Sequence, residues 1–296
     1  MIKAHLAGLG FASIFGLSFI FSKLALAELT PFGLLSIRFC LAWGVMQVLV
    51  SLKFVTIEFS QKSFLIALPV VIAQPLVYFT FEIIGLSMVP SSLAGVMIAM
   101  IPLITLAIAS KLTKHKISLI QLGWMVLSFL GVLWLTQLNT SSQNQSASIL
   151  GIVLIFLAVL SAASFNVLSK HATQSVSAMT LTYMMMLVGA IGFSVAHGVE
   201  VMFLDIPWSF SLWFNSPQLG LPLLYLGIVA SIGGFFLVNY ALSILSSASA
   251  SVYANLATVV SILVGVIFLQ ESFSSWHALA SLMVILGVKM SVSMKS

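Results

Sequence analysis

The feature that most restricts this chain is a recurrence of apolar runs of about twenty residues, each long enough as a helix to cross the roughly 30 Å hydrocarbon layer of a bilayer. Ten are read along the 296 residues, at 4–26, 32–52, 64–86, 91–110, 117–138, 148–169, 177–197, 219–241, 247–269 and 274–292. In hydrocarbon every backbone N–H and C=O has to be satisfied inside the protein, so runs of this length are helices. With 61% hydrophobic and only 6% charged residues, the chain cannot present the surface of a soluble fold, where about a quarter of residues are charged. A multi-pass membrane protein with the lipid bilayer as its surroundings is expected. The pI near 9.4 does not point to nucleic acid, because the bases are dispersed among loops with no basic helix or aromatic-basic patch. Cys40 is the single cysteine, so no intrachain disulfide is available.

The first run has a rival explanation. Lys3 ahead of an apolar segment ending in Ala25-Leu26-Ala27 resembles a cleavable signal peptide. Lys23 just before the cleavage position argues against it, and the internal repeat needs this helix. With the N-terminus inside, Lys3, Lys53, Lys62, Lys111, Lys114, Lys116, Lys170, Lys289 and Lys295 all fall at or near the cytoplasmic face. The outer loops carry no base and instead hold Glu28, Glu200, Asp205 and Glu271, with Trp208 and Trp213 suited to an interfacial belt. Both termini are therefore expected in the cytoplasm.

The chain repeats itself. Ser22-Lys23 matches Ser169-Lys170 at an offset of 147, and Gly131-Val132 matches Gly287-Val288 at an offset of 156. Between them, Gly85-Leu86-Ser87 followed by Pro90-Ser91-Ser92 and Ala94 matches Ala241-Leu242-Ser243, Ser246-Ser247-Ala248 and Ala250. The fold expected is an all-α integral membrane protein of ten transmembrane helices, built as two inverted five-helix repeats at 1–142 and 143–296. An odd number of spans per half turns the second half upside down, and in such architectures the solute site lies near mid-bilayer where the halves meet.

The segment YFTFEIIGLSMVPSSLAGVMIAMIPLI from Tyr78 resembles the third and fourth helices of the drug/metabolite transporter superfamily. The doubled five-helix unit is similar to its EamA-type members. In that pattern an aromatic-rich helix end leads to an L-x-x-x-x-S-[SA]-x-A turn and then to a helix with a central proline. Pro102 fills that place; the second half keeps the turn from Leu242 to Ala250 but has Thr258 for the proline. Gln270-Glu271 keeps a loop feature of the family that Lys114-His115 replaces in the first half. The resemblance covers almost the whole chain. It implies a secondary transporter of small organic solutes (amino acids, other metabolites or drugs), often exported, in a cell membrane read as the bacterial cytoplasmic one.

Polar groups inside the apolar runs are the candidates for a site. An ionised side chain at mid-bilayer costs about 2.5–3.5 kcal/mol on insertion scales, so such a group is partnered or wet. Glu82 lies about a turn and a half before the end of its run, and Tyr78 and Gln74 precede it in steps of four, on one stripe. Arg38 lies several residues into the second span, and Lys23 near the outer end of the first. Asn166 and Lys170 are a turn apart on the sixth span, with Asn239 near the inner end of the eighth. Ser251, Asn255 and Thr258 share one face of the ninth. The reading is that Gln74, Tyr78, Arg38, Asn255 and Asn166 contact solute, whereas Glu82, Lys23 and Lys170 serve gating or proton coupling. Plainer readings stand beside it: a structural Glu82–Arg38 pair, Lys23 snorkelling to the headgroups, and interhelical hydrogen bonding by Asn255 and Ser251.

Gly227, Ser231 and Phe235, like the serines from Ser246 to Ser251, read as close-packing surfaces, and Gly233-Gly234 as a place where the eighth helix could soften. Small-residue stripes serve contacts within and between subunits alike, so a homodimer is one assembly they would support. Met184, Met185 and Met186 read as lipid-facing or core filler. His197 and His277 have no companions at metal-ligand spacing, so no metal or other cofactor is expected. Catalytic signatures are missing too. There is no phosphate-binding G-x-x-x-x-G-K-[ST], no H-E-x-x-H and no G-x-S-x-G, and Asp205 is the only aspartate. An enzyme is not expected; the competing class is a non-transporting membrane scaffold or sensor.

Overall fold

The computed structural model describes residues 1–86, 88–89, 97–113, 118–139, 148–269 and 274–293. Among these, every regular element is helical. In chain order they are α1 Ile2–Leu26, α2 Pro31–Ser51, α3 Gln61–Leu86, α4 Ile101–Thr113, α5 Leu119–Asn139, α6 Ile149–Ala172, α7 Ala178–Leu204, α8 Ser209–Asn215, α9 Pro217–Ile244, α10 Ser247–Val252, α11 Ala254–Leu269 and α12 Ser275–Ser293. Helices α1, α2, α3, α6, α7 and α9 are long and apolar enough to cross a membrane, and α4, α5 and α12 contain shorter apolar helices. The run at 247–269, expected as one span, is divided at Tyr253 into α10 and α11. The turn residues Ser87 and Pro90 to Ala94, the loop bases Lys114, Lys116 and Lys295, His115, and Gln270-Glu271 lie outside the described residues.

Local chemistry starts several helices. Thr30 accepts a hydrogen bond from the Gly33 N–H, with Pro31 in the first turn where its missing N–H costs nothing. Ser60 and Ser63 cap α3 reciprocally, and Ser177 and Ser246 cap α7 and α10. Lys53 after α2 and Asp205 after α7 take the left-handed conformation, with φ of 59° and 49°, and they occupy corresponding places in the two halves. A left-handed residue ending a helix is a common C-terminal device, unusual for a lysine.

Packing repeats the sequence symmetry. Helix α5 lies on α12, α2 on α7, α1 on α11, α4 on α6, α3 on α6, and α9 on α1. Exchanging the halves turns this set into itself: α1 with α11 becomes α6 with α4, and α3 with α6 becomes α9 with α1. At the α5–α12 crossing the reciprocity reaches single residues. A Cβ on Gly131 would meet the Ala280 carbonyl oxygen at 2.9 Å and Val284 at 2.8 Å, while one on Gly287 would meet the Trp124 carbonyl oxygen and Ser128 at 2.7 Å. Each partner is offset from its counterpart by the same 156 residues, so these glycines let two backbones touch across one pseudo-two-fold axis.

Corresponding helices run antiparallel. Thr30 Oγ1 at the start of α2 donates to Glu200 Oε2 near the end of α7 at 2.7 Å, and Tyr183 Oη near the start of α7 donates to Gln47 Oε1 near the end of α2 at 2.7 Å. The methionine triplet Met184, Met185 and Met186 is wholly buried, which settles its two readings in favour of core filler. His197 is also buried: its Nε2 accepts from the Ser209 N–H and its Nδ1 bonds Glu200, tying α7 to α8.

Helices α3 and α9 share a departure from regularity. Residues Ile72–Val77 of α3 and Tyr225–Gly234 of α9 are π-helical, at positions that correspond between the halves. In α3 the cause is local. Pro75 has no N–H to give to the preceding turn and pushes Gln74 out of helical geometry, to φ −147° and ψ 121°. The Ala73 carbonyl left at this break accepts from Ser161 Oγ of α6 at 2.7 Å, so the irregular backbone is satisfied by the other half.

Candidate functional site

Between the halves lies a cavity of about 220 Å³. It runs from Leu26, Leu34 and Leu86, near helix ends, past the break in α3 to Phe11, Ala250 and Ser251. Arg38, Gln74, Tyr78, Glu82 and Asn166 all line it, so α2, α3 and α6 deliver these candidates to one space. Tyr78 and Glu82 meet directly, Tyr78 Oη donating to Glu82 Oε1 at 2.8 Å, which is the i, i+4 relation of a helix stripe. Gln74 is 9% exposed, and its amide has no partner among the described residues. Asn166 Nδ2 donates to Thr105 Oγ1 of α4 at 3.2 Å.

Arg38 is held on three sides. Its Nε donates to Ser231 Oγ of α9 at 2.8 Å, and its guanidinium carbon lies 4.9 Å from the Phe79 ring centroid and 5.6 Å from that of Phe39. A guanidinium on aromatic faces is stabilised by the ring quadrupoles. The structural Glu82–Arg38 pair considered from sequence is not formed: among the described residues the one ion pair within 4.0 Å is His197–Glu200. Arg38 and the Glu82 carboxyl thus line one cavity without an ion pair between them within 4.0 Å.

A layer of aromatic rings lines the cavity toward the N-terminal end of α1. Phe235 contacts Phe15 at 5.6 Å, Phe79 at 6.2 Å and Phe165 at 6.4 Å, centroid to centroid. Phe79 and Phe235 are 156 residues apart, the offset of the repeat, so equivalent side chains of the two halves meet here. Beyond them Phe11 packs on Tyr253, whose hydroxyl bonds His5 Nδ1 at 2.9 Å.

The remaining candidates stand elsewhere. Asn255 does not line the cavity. It is 2% exposed and donates from Nδ2 to Ser128 Oγ of α5 at 3.0 Å. The cavity-facing stripe is Ala250, Ser251, Ala254, Ala257 and Thr258, and at 3.6 residues per turn Asn255 falls on the flank of that stripe, turned toward α5. Lys170 is also off the cavity, its Nζ donating to the Ser243 carbonyl at 3.2 Å, and Asn239 is enclosed between Ser169 and Thr182. The Lys23 side chain lies outside the described set. Sequence reasoning missed Ser231, read as packing alone, because its bond to Arg38 shows only in the structure.

Comparison with known proteins agrees with this geometry. The model of the EamA-like transporter family matches twice, at residues 2–137 and 149–293, once per half. A relative from Bacillus subtilis (strain 168), described as the uncharacterized transporter YcxC, is 31% identical over 289 residues, covering 96% of this chain and 91% of that one. A protein of known crystal structure superposes with a TM-score of 0.80 over 98% of both chains at 14% identity, a likeness of fold alone. The chain is thus a multi-pass membrane transporter of small molecules rather than an enzyme, and it belongs to the EamA-like transporter family.

Proposed function

We propose that this protein is a secondary carrier that exports small organic solutes, amino acids among them, by alternating access. Ten helices in two inverted halves, residues 1–142 and 143–296, rock about the shared cavity in a bacterial cytoplasmic membrane, with both termini inside. The observation that carries the reading is the cavity itself, in which Arg38 and Glu82 face a common space unpaired with each other. Two opposite charges held apart in a low-dielectric site favour a solute that brings charges of both signs over one that brings a single charge. Gln74, Tyr78, Arg38 and Asn166 contact the solute. Glu82 takes up the coupling proton or faces the solute's cationic group. Asn255 and Lys170 act from outside this set by holding helices in place, and Lys23 serves gating or proton coupling. On this topology Leu26, Leu34 and Leu86 mark the outer end of the cavity, and Phe11, Ala250 and Ser251, past the layer of Phe15, Phe79, Phe165 and Phe235, mark its inner end.

Purified protein in liposomes tests the reading. Vesicles loaded with a broad panel of labelled metabolites should release at least one of them faster than protein-free vesicles, and an imposed pH gradient should alter the rate. No release across the panel would replace the carrier with a scaffold or sensor. Release that ignores the pH gradient would leave Glu82 facing solute only.

A further inference from the structure

Ser231 sits where the two halves divide one task. On α9 it follows Gly227, where an added Cβ would meet Leu41 of α2 at 2.7 Å, so the two helices are in close contact. Ser231 is wholly buried, and its one hydroxyl hydrogen goes to the Leu226 carbonyl, five residues back, at 2.8 Å. The spacing belongs to the π-helical stretch, and it turns the oxygen lone pairs toward α2, where Arg38 Nε donates to them at 2.8 Å. With Nε engaged and the guanidinium carbon over the Phe79 and Phe39 rings, Arg38 is held from three sides. Its two terminal nitrogens have no partner among the described residues, and the side chain, 6% exposed, lines the cavity. A planar pair of N–H donors held rigidly and left open is the geometry that receives a carboxylate through two parallel hydrogen bonds. A dianion such as a phosphate monoester suits the space less well, because Glu82 lines the same cavity.

We propose that Arg38 binds the carboxylate of the transported solute and that Ser231 is the positioning residue that aims it. The proposal rests on the carrier reading above and deepens it. Because Arg38 belongs to the first half and Ser231 to the second, rocking of the halves changes the grip on the solute.

The test uses proteoliposomes loaded with a mixture of the common amino acids or with the matching mixture of their amides, release being followed by mass spectrometry for the wild type and Ser231→Ala. The wild type should release at least one acid about tenfold faster than its amide, the difference expected of a charge-assisted bidentate contact. For that acid Ser231→Ala should raise KM about tenfold with kcat within about twofold, because an unaimed fork loses binding. Amide release should not change between the two proteins, which a general loss of structure would not spare. Equal release of acids and amides, or an unchanged KM in Ser231→Ala, would overturn the proposal. Carriage of other solutes with neither mixture released would overturn it as well while leaving the carrier reading intact; a wild type that releases nothing at all defeats the carrier reading instead.

Discussion

Among the described residues Glu82 accepts one hydrogen bond, from Tyr78, and has no ion pair within 4.0 Å. Its charge can therefore be separated from its shape. Glu82→Gln keeps an oxygen for the Tyr78 hydroxyl and removes only the charge, so the protein should fold and reconstitute as the wild type does. Transport should fall at least about tenfold, equivalent to roughly 1.4 kcal/mol on the limiting step. Wild-type flux in this variant would take the carboxylate out of the mechanism. This group was legible because a carboxylate in an apolar run is rare and costly, and counting back in fours from Glu82 reaches Tyr78 and Gln74. Asn255 was read by the same counting and misplaced, because a stripe spaced in threes and fours is wide enough for one flank to face a neighbouring helix, here Ser128 of α5, while the rest faces the cavity. Ser231 escaped for a different reason. A serine in a small-residue stripe looks like spacing, and only the distance to Arg38 separates a spacer from a partner.

At the scale of helices, the small residues decide which faces meet, since these runs are apolar nearly all round and carry no stripe that marks an inside. Gly131 and Gly123 lie on the same helix in opposite situations. A Cβ on Gly131 would press on the Ala280 carbonyl oxygen and the Val284 N–H, whereas one on Gly123 would meet nothing within 4 Å. Gly131→Ala should therefore lower stability by about 1–3 kcal/mol through overpacking. Gly123→Ala should leave it unchanged or raise it by up to about 1 kcal/mol, as the unfolded chain loses freedom. Thermal unfolding of both variants in one detergent distinguishes them, and equal shifts would contradict the contact. The repeat of Gly131 at Gly287 was readable as a sequence match, but its meaning as a backbone crossing needed the structure. The π-helical stretches were half legible: Pro75 announces the break in α3, and Gly233-Gly234, read as a place where the helix could soften, ends the stretch in α9, whereas the Ser231–Leu226 hydrogen bond within it needed the structure.

For the whole molecule, the repeat is the property from which the cavity, the aromatic layer and the Arg38–Ser231 contact all follow, since each is built from both halves. The two offsets and the long apolar runs carried that much from the sequence. Where individual polar side chains point depends on helix rotation and on breaks in register, which one-dimensional spacing does not encode. Lys53 and Asp205 follow the corresponding helices α2 and α7, each with a positive φ. In a Cys40→Ser background, cysteines placed singly at positions 53 and 205 can be labelled in intact cells with an impermeant maleimide and again after permeabilisation. Position 205 should react in intact cells and position 53 only after permeabilisation. Reaction of both from the same side would contradict the inverted halves, and with them the shared cavity on which the carrier reading stands.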